Sequence, residues 1–425
     1  MTKKLASAKW IIVLVAVVCL VGGIMVSAQD DGLTVSYMES GTYNLSAEQL
    51  AGEFESANGI PVEVVAFPWA VLRQNNTNDL ISGTGLYDVM SGGYYLADVY
   101  DFFIPLTSYI ESSNFGDGII PGLMDPGSSE WYNGEQIGIP YGVDAYGLIV
   151  NNALLEEAGV TPEFANWEEF LAACETIEAA LEGVACFSHS TGNPEQIGAF
   201  FFSGYDGNYV NADGAYQLDV EQAVAAASLL PELWTHLPEN GAALSFEEAH
   251  QVFMDGDAAM TVTWPSFIAQ TLDAPDSGMA GNWSQVAFPG PAFPWLSLWQ
   301  QFIPASATNP DAAWQWASTF AGEERAMTNY TDYGINSIWL STYEDEELAA
   351  QHAHQWPEML DGFSRAKNPP LSGEAQDFLT NTLVQVATGQ LTAEEGIAQV
   401  NDAWATIPVP APLLEAATLA GMRAE

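Results

Sequence analysis

Basic side chains are almost absent from this chain: 8 lysines and arginines stand against 55 aspartates and glutamates. A surface of that kind cannot replace the counterions of a phosphate backbone and is repelled by anionic lipid, which excludes nucleic acid and acidic membranes as partners. Lys3, Lys4 and Lys9 precede an apolar run near the start, so only Arg73, Arg325, Arg365, Lys367 and Arg423 remain. They are scattered, and an anionic ligand, which needs converging cations, is disfavoured. Charged residues make up only 15% of the chain, so the imbalance is a depletion of bases more than a surplus of acids. Salt would relieve the self-repulsion, but the composition leaves the habitat open.

Histidine is scarce too. Of the 5, only His352 and His354 are close, and at that spacing they point to different faces of a helix. Asp206, Asn208 and Asp213 lack the spacing and the bidentate glutamate of a calcium loop. No metal or cofactor is expected. No Gly-x-Ser-x-Gly elbow and no phosphate-cradling glycine loop occurs. Acids are so plentiful that pairs at a glycosidase separation arise by chance and carry little weight. An enzyme is not expected. The 3 cysteines are equally informative. Cys19 lies inside the apolar run from Trp10 to Val21, not at its end, where a lipid anchor would place it. That run, with lysines before it and Val26-Ser27-Ala28 after it, reads as a secretory signal over residues 1–28; a retained anchor is the alternative. No other stretch is apolar enough to span a membrane. Export leaves Cys174 and Cys186, for which an oxidising compartment permits a bridge; two buried, reduced thiols are the alternative.

Roughly 400 residues after the signal exceed what one core supports, so two domains are expected. Leu33 to Tyr37 reads as a strand, Ser46 and Gln49 as a capping box opening a helix that Gly59 ends, and Ile60 to Phe67 as a second strand. A helix over 71–81 leads to the buried strand Tyr87-Asp88-Val89-Met90. This β-α-β-α-β rhythm argues for a parallel sheet covered by helices. Ile137, Ile139, Tyr141 and Val143 alternate in strand fashion, and Leu148 to Val150 continues the run. Leu154, Leu155 and Ala158 then share a helical face that Gly159 terminates, and Asn166 with Glu169 has the form of a capping pair. Asn211 to Gly214 is a hairpin signal, Asp219 starts a helix, and Asn309-Pro310 caps another. Helices are expected around 345–355, 373–388 and 392–404.

Four segments in order, Asp88-Val89, Val150 to Phe170, Phe246 to Trp264 and Thr388 to Gly396, resemble those of the extracellular solute-binding proteins of ABC importers, the class that includes maltodextrin-binding proteins. The resemblance covers about 33–405. It implies an α/β, two-lobed periplasmic-binding-protein fold of type II, each lobe a mixed sheet flanked by helices, with three hinge crossings. The expected division is 33–142 plus 288–335 for the N-terminal lobe and 143–287 plus 336–412 for the C-terminal lobe. The implied function is capture of a solute between lobes and delivery to the permease subunits of an ABC transporter. The protein is then an exported monomer, periplasmic or extracellular.

A neutral sugar presents apolar C–H faces and a rim of hydroxyls, so its site needs flat aromatics with carboxylates or amides beside them. The chain has 14 tryptophans. Trp264, after the Ala258-Ala259-Met260 strand, occupies the place where the resembling family stacks a ring on its ligand; a core role at a strand end is the alternative. Trp295 and Trp299 follow the second crossing, and Asp144 and Tyr146 the first, where maltodextrin-binding members place an acid on sugar hydroxyls. A solvated hinge carboxylate is the alternative for Asp144. Glu39 and Tyr43, and Tyr94 and Tyr95, lie beyond the first and third strands, at the sheet end where open parallel sheets bind ligands. Packing roles are expected for Trp69 and Trp131. A neutral mono- or oligosaccharide is the favoured ligand; a cationic amine such as a polyamine in the same fold, or a secreted glycoside hydrolase, are the alternatives.

Overall fold

The computed structural model describes residues 32–39 and 42–424; the signal expected at 1–28 lies outside the described residues. Eleven strands run in chain order: β1 (Leu33–Met38), β2 (Val62–Phe67), β3 (Val89–Gly92), β4 (Trp131–Tyr132), β5 (Glu135–Gln136), β6 (Gly138–Ala145), β7 (Gly147–Asn151), β8 (Ala185–His189), β9 (Ala258–Thr263), β10 (Trp283–Val286) and β11 (Leu296–Phe302). They form two main sheets, β2-β1-β3-β11-β6 and β10-β7-β9-β8, with β4-β5 a separate hairpin. Pairing of β1 with β2 and β3 is parallel, and the later strand β11 enters antiparallel between β3 and β6. Each sheet is therefore mixed, and each has its own core.

Local signals explain most element ends. Asn166 accepts from Glu169 N–H at 2.8 Å and so caps the helix, while Glu169 accepts from Ala165 N–H at 2.9 Å, one residue before the N-cap N–H that a closed capping box would use. Asp219 and Asn309 cap their helices through side-chain oxygens, and Gly159 leaves its helix at φ 72°, a left-handed conformation cheap only for glycine. One start is misread in the sequence. The first helix begins at Tyr43, not after Ser46, and its N-cap Thr42 makes no side-chain cap. Ser46 lies within the helix and donates its hydroxyl to Asn329 at 2.6 Å, a tertiary bond that no local pattern announces. Cys174 and Cys186 are bridged, tying the helix Trp167–Ala180 to β8.

The crossings differ from the expected division. β6 stays in the first sheet to Ala145, and Tyr146 already packs in the second core, so the first crossing is at 145–147 and not at 143. Phe288 and Trp295 belong to the second core and Leu296 to the first, which moves the return crossing from 288 to 295–296. Ile338, Trp339, Tyr343, Trp356, Met359 and Phe363 pack in the first core, so residues 336–366 fall with the first lobe and not, as expected, with the second. Each buried side chain of this size contributes about 1.5–3 kcal/mol, and six of them outweigh the ties to the second lobe, which are the backbone bond from Gln285 N–H to His354 O, the contacts of His352 and His354 with Asp273 and the packing of His354 on Trp283. The third crossing is then at 366–371, between Ala366 of one core and Leu371 of the other.

All three crossings lie side by side. Tyr146 N–H donates to Trp295 O at 2.9 Å, Leu296 N–H to Lys367 O at 3.1 Å and Lys367 N–H to Pro294 O at 3.2 Å. The C-terminal helix Ala411–Leu419 adds a noncovalent tie. Its Glu415 carboxylate accepts from Asn133 and Gly134 N–H in the β4-β5 turn, while Tyr209 N–H donates to Met422 O in the second lobe. Among the described residues no helix is long and apolar enough to cross a membrane.

Candidate functional site

A cleft of about 400 Å³ opens between the sheets, beside the first two crossings. Its first-lobe wall is aromatic. Trp299, from the middle of β11, meets Trp69 edge-to-face at 5.4 Å and Tyr43 at 5.2 Å, with all three rings on the cleft. Trp69 opens the helix Trp69–Ser82 directly after β2, so the C-terminal end of the parallel strands aims it inward. The second-lobe wall is built likewise: Trp264 follows β9 and packs against Trp295 at 5.4 Å, with Phe246 and Phe267 beside them. Gly147 permits the close approach of this wall, because a Cβ there would meet Pro265 Cγ at 2.6 Å.

Carboxylates and amides fill the rim. Asp144, at the end of β6, is buried; its Oδ1 accepts from Ala145 N–H at 2.9 Å, and its Oδ2 from Ser266 N–H at 3.0 Å and from the Ser266 hydroxyl. Burial pushes its carboxyl up to about 7, against the pull of those bonds. Gln196 accepts from Trp264 Nε1–H at 3.0 Å and donates to Glu195 at 3.1 Å, and burial raises Glu195 as well. Glu247 and His250 also line the cleft; burial lowers the His250 imidazole to about 4, and its Nε2 lies 2.7 Å from the Thr263 hydroxyl. At neutral pH that imidazole is uncharged. Among the described residues no lysine or arginine lines the cleft; Arg73 lies over the Trp69 and Tyr95 rings at 5.5 and 5.2 Å.

The structure thus brings Trp264, Asp144, Tyr43, Trp295 and Trp299 together on one cleft. Tyr146, Tyr95 and Glu39 are not among the residues lining it. Tyr146 is buried behind the second-lobe wall, stacked 6.1 Å from Trp295 and donating its hydroxyl to Gln196 at 2.8 Å. Tyr95 backs Trp69 edge-to-face at 4.7 Å. Glu39 is exposed beyond β1 and off the cleft, and the Tyr94 side chain lies outside the described residues. Trp69, expected to be packing, is on the cleft. Glu195, Gln196, Phe246, Glu247, His250 and Ser266 were not anticipated. The Ser245–Glu248 capping box, which starts the helix carrying Phe246, Glu247 and His250, was a usable signal for that element. Nothing local marks Glu195 or Gln196. His352 and His354 do not diverge as expected; both turn to Asp273, at 3.5 and 3.3 Å.

The model of the bacterial extracellular solute-binding protein family matches residues 40–327. The chain belongs to that family. A binding protein of Brucella abortus strain 2308 is 26% identical over 226 residues, 51% of this chain and 54% of that one. The chain thus spans about half the length of the curated relatives it matches. Solved structures extend the likeness of fold to nearly the whole chain. Maltose-bound MalE3 of T. maritima superimposes with a TM-score of 0.74 at 20% identity, over 88% of this chain and 98% of that one. The GacH receptor of Streptomyces glaucescens, solved unliganded and with acarbose, gives a TM-score of 0.72 at 19% identity, over 91% and 99%. The two-lobed α/β fold of solute-binding proteins, with three crossings, is therefore the fold of this chain. In this solute-binding protein the cleft lies between the two lobes, beside the crossings.

Proposed function

We propose that this protein captures a neutral sugar or oligosaccharide between its lobes and presents the closed, loaded form to the permease of an ABC importer, on the outer face of the cell membrane. The observation that carries the reading is a cleft with tryptophans on both walls, carboxylates and an amide between them, and no lysine or arginine among its described lining residues. Flat rings cover the C–H faces of a sugar, and carboxylates accept its hydroxyl protons. Capture at micromolar concentration corresponds to about −8 kcal/mol. Stacking on two or three rings plus a few hydroxyl bonds can supply that. Maltose and acarbose are bound by solute-binding proteins of the same fold, which supports this ligand class.

Trp264, Trp295, Trp299, Trp69 and Tyr43 are assigned the stacking surface, and Glu195 and Asp144 the hydroxyl contacts. The protein acts as a monomer and performs no chemistry on its ligand. Ligand contacts on both walls form together only when the lobes close, so closure reports occupancy.

Three carboxylates on an aromatic cleft also favour a second reading, a cationic amine held by ring faces and acids. Tryptophan fluorescence and thermal melting of the purified protein against a panel of neutral sugars and cationic amines separate the two. A sugar that raises the melting temperature independently of salt supports sugar capture. A response only to amines, weakened by salt, replaces it with the cation reading.

A further inference from the structure

We propose that Gln196 is the positioning residue of the cleft: one amide holds the Trp264 indole and the Glu195 carboxylate side by side, so that a ring face and a hydroxyl acceptor meet the same sugar ring. The inference rests on the sugar reading above.

Gln196 is 3% exposed, and its amide is used at both ends. Its carbonyl oxygen accepts from Trp264 Nε1–H at 3.0 Å and from the Tyr146 hydroxyl at 2.8 Å, which occupies both lone pairs. An indole N–H can only donate, so the amide orientation is fixed, and its N–H₂ faces Glu195 Oε1 at 3.1 Å. Tyr146 is the residue of the first crossing, so the same amide ties the ring and the acceptor to the hinge. The loop that leads into the short helical turn Pro194–Ile197, which carries Glu195, is anchored as well: Gly192 N–H donates to Leu244 O at 2.8 Å, and the Thr191 hydroxyl oxygen accepts from Leu244 N–H at 3.0 Å.

Only an amide satisfies these neighbours. Glutamate has the same shape and keeps the acceptor, but it loses the N–H and sets a second carboxylate against Glu195. Two carboxylates that close share one proton, and both ionise only when the pH is high enough to remove it. In Gln196→Glu the shared proton replaces the amide N–H at low pH, and at high pH repulsion drives Glu195 from its place. The charged or titratable groups around the pair are Arg73 and Asp377, which act on Glu195, Tyr146 and His189 on the Gln196 side, and Asp144, Glu247 and His250, which line the same cleft, Asp144 also acting on Tyr146. Burial lowers His189 to about 4, so it stays neutral through the range used.

The test reads ligand-free and loaded protein together. The indole N–H resonance of Trp264, assigned by its loss in Trp264→Phe, is followed in wild type and Gln196→Glu from about pH 5 to about pH 9, with the affinity for the sugar that responds in the panel. The expected result is an indole resonance that shows a titration in the variant beyond any that wild type shows, since Asp144, pushed up to about 7 on the same cleft, titrates in both proteins. With it, affinity matches wild type near pH 5 and weakens at least about tenfold relative to wild type near pH 9. An equal melting temperature of the two proteins near pH 5 establishes that the variant folds. An indole resonance that titrates identically in the two proteins, or an affinity ratio constant across pH, overturns the inference. If the resonance shows the extra titration in the variant and only amines bind, Gln196 keeps its positioning role for the ring and acceptor, and the sugar reading falls instead.

Discussion

Asp144 joins the lobes with a buried carboxyl, and its titration should appear directly in stability. Its oxygens accept from Ala145 N–H, Ser266 N–H and the Ser266 hydroxyl, yet burial dominates and pushes the group from 3.8 up to about 7. A folded-state value above the unfolded one means that the folded protein holds the proton more tightly. The resulting stabilisation is complete below pH 3.8 and is lost as pH rises to about 7. The gap corresponds to about 4 kcal/mol at most. Asp144→Asn cannot titrate, and its N–H₂ opposes one of the three donors, at a cost of about 1 kcal/mol. The variant should therefore be less stable than wild type by about 1 kcal/mol near pH 4 and more stable by up to about 3 kcal/mol near pH 8. Urea unfolding of both proteins across this range measures the difference. A difference that stays constant with pH would refute the reasoning, because then the Asp144 carboxyl is not held protonated by burial.

Two further outcomes follow from the same structure. Reduction of Cys174–Cys186, or Cys174→Ser with Cys186→Ser, frees a loop of sequence separation 12 and should destabilise the second lobe by about 2–4 kcal/mol, seen as a lower melting temperature with the sugar response preserved in the surviving fold. Trp69→Ala removes one ring from the first-lobe wall and the edge-to-face support of Trp299; sugar affinity should fall roughly tenfold, measured by titration calorimetry, with little change in melting temperature because Trp69 is only partly buried.

Periodicity and capping made the elements legible: the alternation in β6, the Asn166–Glu169 pair and the Asn309-Pro310 start are all local patterns with local causes. The lobe that owns each element was less legible. The helix Trp356–Arg365 has an apolar stripe in the sequence, but a stripe does not say which sheet will cover it, and Trp356, Met359 and Phe363 proved to face the first core. The site divides in the same way. Trp264, Asp144, Tyr43 and Trp299 are tied to strands and the segments that follow them, and sheet geometry carries them to the cleft. Tyr146 follows the same logic but turns away, because a crossing residue has no pleat to fix its direction and a second-lobe pocket of Trp264, Trp295 and Gln196 receives its ring. Glu195, Gln196 and Ser266 reach the site from a loop and short turns whose approach is set by tertiary packing, which sequence spacing does not encode.

The central claim, that this cleft captures a sugar on its aromatic walls, is tested most directly by equilibrium binding of the responding sugar to wild type and to Trp264→Ala. The account predicts saturable, salt-independent binding with an emission shift in wild type and a loss of at least about tenfold in the variant. Equal affinity in the two proteins would place the ligand elsewhere and contradict the assignment of this cleft.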